Sequence, residues 1–287
     1  MKFSEHRMVT PDGPAIYARD YAPEGAARGV PVLCLHGLTR NSADFEAVAP
    51  AIVSLGRRVI VPDTRGRGRS DNDPDPARYR PEIYAADTLA LLDMLGIARA
   101  VFLGTSMGGV MTMLTAAMAP GRIAAAILND IGAEVDPAGV ARIAAYVGRS
   151  DPFVSWDEMI ASIRAQQQAL FPDADDGFWE RWAHRVARER PDGCVEFAYD
   201  PLIRQAFGAP QGAAPPDLWA LFEALSAVPV LLIRGALSDI LPAAGAAKMK
   251  RVKPDLVFVE IPGIGHAPTL EEKPSREAIA EFLSGVP

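Results

Sequence analysis

The chain has 287 residues, 49% of them apolar and 23% charged, which is the balance of a folded globular protein and excludes a disordered or fibrous one. Its formal net charge of −7 opposes a phosphate backbone, so no nucleic-acid partner is expected. The first residues carry charge and lack the apolar stretch of a secretory signal, and no run approaches the roughly 18 apolar residues of a membrane span, so a cytoplasmic protein without a membrane partner is expected.

A hairpin is expected first, over 6–13 and 15–23. Short β-rich runs follow at 32–35, 58–61, 100–103 and 124–128, and two more late in the chain at 228–233 and 256–261. Several are apolar on both faces, as strands covered by helices on either side should be. Between them the apolar spacing predicts helices over 81–95, with Tyr84, Thr88, Leu91, Leu92 and Leu95 on one face and Gly96 as the stop, and over 107–119. A last helix is expected over 275–283, ahead of Gly285.

From about 133 to 211 the alternation stops and only helix signals remain. Ser155 and Glu158 form a capping box, and 178–188 places Trp179, Trp182, Ala183 and Val186 along one helical face. The stretch 208–216, rich in Gly, Pro and Ala, reads as a linker back to the strands. The chain therefore divides into an α/β core over 1–132, a helical insertion over 133–214, and the rest of the core over 215–287.

The strongest chemical signal is Gly104-Thr105-Ser106-Met107-Gly108, directly after one strand run and directly before a helix. This is G-x-S-x-G in the strand–turn–helix setting of a nucleophile elbow, where small neighbours let the backbone turn sharply around an exposed serine. The helix N-terminus beside Ser106 suits a developing negative charge. With this motif and His36-Gly37 after an earlier strand, nearly the whole chain resembles the α/β-hydrolase superfamily. The resemblance implies a mostly parallel eight-stranded sheet flanked by helices, with a helical cap insertion. It also implies a serine nucleophile at Ser106 and an oxyanion hole made by the N–H groups of Leu38 and Met107. His36 itself is read as a loop anchor.

A serine hydroxyl needs a base. Of the four histidines, His6 sits in the hairpin and His184 in the insertion, whereas His266 lies in the loop after the last strand, where the family's catalytic histidine falls. Two acids are open. Asp239, just past the run 228–233 and before His266 in the family's chain order Ser, Asp, His, is favoured; Asp130, after the run 124–128, is the alternative, because some family members place the acid there.

Several other features have plainer readings. Asp63-Thr64-Arg65-Gly66-Arg67-Gly68-Arg69-Ser70 resembles the family's D-x-R-G-x-G-x-S turn and lacks a nucleotide fingerprint, so a structural turn near the oxyanion loop is expected. Arg181, Arg185, Arg188 and Arg190 are expected in water, with the apolar side of their helix over a pocket. Cys34 and Cys194 form neither a disulfide framework nor a metal pattern, no H-E-x-x-H is present, and neither metal nor cofactor is expected.

The expected activity is acyl transfer from a small, largely hydrophobic carboxylic ester or lactone, by a monomer or homodimer. Ser in place of Asp at the nucleophile argues against the haloalkane dehalogenases and epoxide hydrolases of the family. Carbon–carbon bond hydrolysis of aromatic ring-cleavage products, thioester or amide hydrolysis, and a non-catalytic ligand-binding role stay open. Phe153, Trp156, Met159, Trp179 and Trp182 are candidates to contact substrate, or else form the insertion's own core.

Overall fold

The computed structural model describes residues 1–149, 151–208 and 216–286. It opens with β1 (Ser4–Val9) and β2 (Ala15–Tyr21), paired antiparallel with Ser4 opposite Asp20 and Val9 opposite Ala15. The next strands are β3 (Val32–Leu35), β4 (Val59–Pro62), β5 (Ala100–Thr105) and β6 (Ile123–Asn129), and every residue of β3, β4 and β6 is buried. That explains their apolar sequence, broken only by the terminal Asn129 of β6: no residue faces water, so no alternation is needed. Helices α1 (Val48–Ser54), α2 (Pro81–Met94) and α3 (Met107–Met118) make the crossovers between them.

After β6 the chain leaves the sheet. It runs through α4 (Pro137–Tyr146), α5 (Trp156–Gln167) and α6 (Asp176–Val186), then a small antiparallel pair, β7 (Ala187–Glu189) and β8 (Val195–Phe197), and α7 (Ile203–Gly208). The capping box forms as expected, with Ser155 Oγ accepting the Glu158 N–H at 3.2 Å. The hairpin corrects the expectation of helix alone: the helix predicted over 178–188 ends at Val186, and its last residues turn into β7. Most of the expected linker, 209–215, lies outside the described residues, as does the boundary expected at 214–215.

The chain returns through α8 (Leu218–Glu223), β9 (Val230–Gly235), α9 (Ala243–Val252), β10 (Val257–Ile261) and α10 (Lys273–Ser284). The completed sheet has eight strands in the order β1-β2-β4-β3-β5-β6-β9-β10, parallel from β4 onward, with β1 and β2 antiparallel at one edge. Leu91 and Leu92 of α2, Met111 and Met113 of α3, Phe222 of α8 and Met249 of α9 pack on one face. Ile52 and Val53 of α1 and Ile279 and Leu283 of α10 pack on the other. The inserted helices have a third apolar cluster of their own, around Met159, Phe171 and Trp179. No helix among the described residues is long and apolar enough to cross a membrane. In this order the ends of β5, β6 and β9 and the loop after β10 meet under the inserted helices, where open parallel sheets place their sites.

Candidate active site

Ser106 is the turn between β5 and α3. Its backbone is left-handed, φ 51° and ψ −116°, a conformation that costs about 1–3 kcal/mol and persists only where the surroundings enforce it. They do so by crowding: a Cβ on Gly108 would lie 2.1 Å from the Leu35 carbonyl oxygen, so only glycine lets α3 start so close to β3. The Ser106 N–H is tied to the Asn129 carbonyl at 2.9 Å.

His266 reaches this serine from the loop after β10. Its Nε2 is 2.8 Å from Ser106 Oγ, and its Nδ1 is 2.8 Å from Asp130 Oδ2. Asn129 holds the two loops together, its amide donating to Thr105 Oγ1 at 3.0 Å and to the Pro268 carbonyl at 2.8 Å. That tie was invisible in the sequence, where Asn129 is only the last residue of a strand.

The carboxylate beside His266 is therefore Asp130, and the preference for Asp239 is corrected. Asp130 is fully buried, with a left-handed φ of 57°, which turns its side chain back toward the serine corner. Its Oδ1 accepts the Gly235 N–H at 2.9 Å, and its Oδ2 accepts the Ser238 hydroxyl at 2.6 Å as well as the imidazole. Asp239 points elsewhere, into a two-pronged pair with Arg142 at 2.5 and 2.9 Å. Helix α4 comes close enough to deliver that arginine because Gly139 has no side chain: a Cβ there would lie 2.0 Å from the Asp239 carbonyl oxygen. Burial alone would raise the Asp239 carboxyl, but hydrogen bonds and charge from Arg142 outweigh it and hold the group below the usual carboxylate range.

The loop after β3 forms the other wall. His36 is buried, with Nδ1 2.7 Å from the Gly37 carbonyl and Nε2 accepting the Thr64 N–H at 3.0 Å. Burial keeps this imidazole below its ordinary value, and its nitrogens are occupied by the backbone, as expected of a loop anchor. The arginine-rich turn also packs as expected. Arg67 Nε donates to the Leu38 carbonyl at 3.0 Å, which fixes the peptide plane beside Ser106. Arg65 is buried among Asp87, Asp73 and Asp12. Asp63 accepts the backbone N–H groups of Ser42 and Arg69 at 2.5 and 2.8 Å. The N–H groups of Leu38 and Met107 take part in no hydrogen bond among the described residues.

Above Ser106 lies a cavity of about 460 Å³. Gly37, Leu38, Ser106 and His266 form its floor; Tyr146, Gln167, Phe171, Phe178 and Trp182 contribute to its walls. Of the five candidate substrate contacts only Trp182 lines it, with the Arg40 guanidinium 4.1 Å from the centre of its ring. Met159 and Trp179 are buried in the insertion's own cluster. Phe153 packs edge-on against Phe197, and Trp156 lies 4.0 Å from the His184 ring. The periodicity identified the apolar faces correctly but not which apolar face meets the cavity. Arg185 is a further correction: it is not left in water but lines the cavity and pairs with Glu271 at 2.5 Å.

A hydroxyl, an imidazole and a carboxylate in one hydrogen-bonded line can pass a proton away from the hydroxyl as it attacks an electrophile. Among the described residues no three His, Cys, Asp or Glu side chains are grouped to hold a metal ion. The buried Cys34 thiol is pushed up by burial and lies outside the cavity.

The fold and this corner place the chain in a known class, and comparison agrees: a family model described as the alpha/beta hydrolase fold matches residues 30–273, and the chain belongs to that family of hydrolases. Among its relatives, a 3-hydroxybutyrate-oligomer hydrolase of Cupriavidus necator is 33% identical over 261 residues, covering 88% of each chain. A 2-(acetamidomethylene)succinate hydrolase of Mesorhizobium japonicum is 29% identical over 82% of this chain and 81% of its own. The crystal structure of an alpha/beta hydrolase from Novosphingobium aromaticivorans superimposes with a TM-score of 0.91 at 44% identity, over 98% of both chains.

Proposed function

We propose that the protein is a serine hydrolase of small carboxylic esters or lactones, acting through an acyl-enzyme on Ser106, with His266 as base and Asp130 as the acid behind it. The observation that carries this reading is the line Ser106 Oγ, His266 Nε2, His266 Nδ1, Asp130 Oδ2, with 2.8 Å at each hydrogen bond and with Ser106 and His266 lining the cavity. Ser106 Oγ attacks the ester carbonyl while His266 Nε2 takes its proton. Asp130 accepts from Nδ1, which fixes the tautomer and balances the imidazolium as it forms.

The tetrahedral oxyanion is received by the free N–H groups of Leu38 and Met107; losing one such donor typically costs about 10²–10³ in turnover. The C–O bond then breaks and His266 returns its proton to the departing alcohol. Water, activated by the same imidazole, clears the acyl group and regenerates Ser106. No cofactor enters these steps.

The name of the Cupriavidus necator relative supports an ester: it specifies an oligomer of a hydroxy acid, and hydroxy acids joined head to tail are esters. The test is hydrolysis of short-chain p-nitrophenyl esters by the wild type and by Ser106→Ala. Turnover should fall by about 10⁴–10⁶ in the variant. A folded wild type inert toward these esters, or a variant as fast as the wild type, overturns the reading.

A further inference from the structure

The far wall of the cavity contains a polar group that the chemistry at Ser106 does not use. Tyr146 is the last residue of α4 and Gln167 the last of α5, and both line the cavity. The two helix ends meet there, with the Gln167 amide and the Arg142 guanidinium facing the Tyr146 phenol. Gln167 is 7% exposed. A buried primary amide carries two N–H donors and a carbonyl with two lone pairs, and burial without partners is costly. The phenol beside it can engage only part of that capacity. Behind the phenol, Arg142 is committed to Asp239 through Nε and Nη2, and its Nη1 is buried with no hydrogen-bond partner. The wall thus sets a phenol and a primary amide side by side, each able both to donate and to accept a hydrogen bond.

We propose that Tyr146 and Gln167 form a subsite for an uncharged oxygen, a hydroxyl or a carbonyl, carried on the substrate chain away from the scissile ester. It rests on the ester-hydrolase reading and narrows it: the preferred substrate is an oxygenated short-chain ester, not the largely hydrophobic one that the apolar sequence of the insertion suggested. A hydroxyl fits both partners, accepting from the phenol and donating to the amide carbonyl. A second carboxylate fits less well. Of the three arginines in the cavity lining, Arg40 is matched by Asp44 at 2.6 Å and Arg185 by Glu271 at 2.5 Å, which leaves Arg181 as the one without an ion pair among the described residues, while Asp173, Asp175 and Glu272 add further negative charge.

The experiment compares kcat/KM on two matched pairs, ethyl butyrate with ethyl 3-hydroxybutyrate, and butyl acetate with 3-hydroxybutyl acetate, so that the acyl and the alcohol side are both probed. In at least one pair the wild type should prefer the hydroxylated ester by about tenfold, the worth of one or two buried hydrogen bonds. Tyr146→Phe and Gln167→Leu, each verified as folded by thermal melting, should each reduce that preference to about threefold or less. Lack of preference in the wild type, or a preference that survives both substitutions, overturns the subsite. A wild type inert toward all four esters overturns the ester reading on which the subsite stands.

Discussion

Two corners of the sheet, after β6 and after β9, each carry an aspartate, and the two carboxylates have opposite fates. Asp130 leaves β6 in a left-handed turn, is sealed from water and gathers three donors: the Gly235 N–H, the Ser238 hydroxyl and the His266 imidazole. Asp239 follows β9 by four residues, and its carboxylate turns outward to Arg142, its side chain 30% exposed. Ser238 stands between them. Its hydroxyl donates to Asp130 and accepts the N–H groups of Ile240 and Leu241, so the β9 corner serves to orient the acid at the β6 corner. Both aspartates lie between Ser106 and His266 in the chain, so chain order does not separate them; the donors arranged around each carboxylate do.

Three substitutions sharpen that contrast. The largest effect is expected from Asp130→Asn, which should lower kcat by about 10⁴ on a p-nitrophenyl ester, because an amide donating to His266 enforces the wrong tautomer. A melting curve close to that of the wild type would confirm that this fall is chemical and not unfolding. Ser238→Ala removes one hydrogen bond to the acid and leaves the rest; a loss of about tenfold in kcat is expected, and a fall as large as that of Asp130→Asn would break the assignment of Ser238 as a positioning residue.

Asp239→Asn should act mainly on stability, by about 1 kcal/mol, since its partly exposed pair with Arg142 is screened by solvent. The Asp239 carboxyl is held below its ordinary value in the folded chain, so the pair stabilises at pH values above the usual aspartate range and loses its worth as pH falls through the lowered value. The melting gap between wild type and Asp239→Asn should accordingly be widest near neutral pH and close in acid. A gap that widens on acidification contradicts the ion pair.

The same contrast explains what the sequence revealed and what it hid. The strands β3 to β6 and β9 were legible because fully or largely buried strands read as apolar runs, and the mostly uncovered β10 because its sequence is rich in β-branched and aromatic residues. Ser106 and His266 were legible because a sharp turn and a late loop are local features. Asp130 and Asp239 were not separable, because what divides them is a donor from Ser238, an arginine from α4 and a left-handed peptide, all set by packing. The strands β7 and β8 are three residues each, too short for any alternation to register. Tyr146 and Gln167 were missed for a related reason: each is the last residue of a helix, and only the meeting of α4 and α5 turns them toward one cavity.

The assignment of the acid is tested most directly by measuring kcat for Asp130→Asn and Asp239→Asn side by side on one ester at one pH. The geometry calls for Asp130→Asn to be slower by about 10³ or more, with Asp239→Asn close to the wild type. Equal losses, or the larger loss in Asp239→Asn, would contradict the Ser106–His266–Asp130 line as the working machinery.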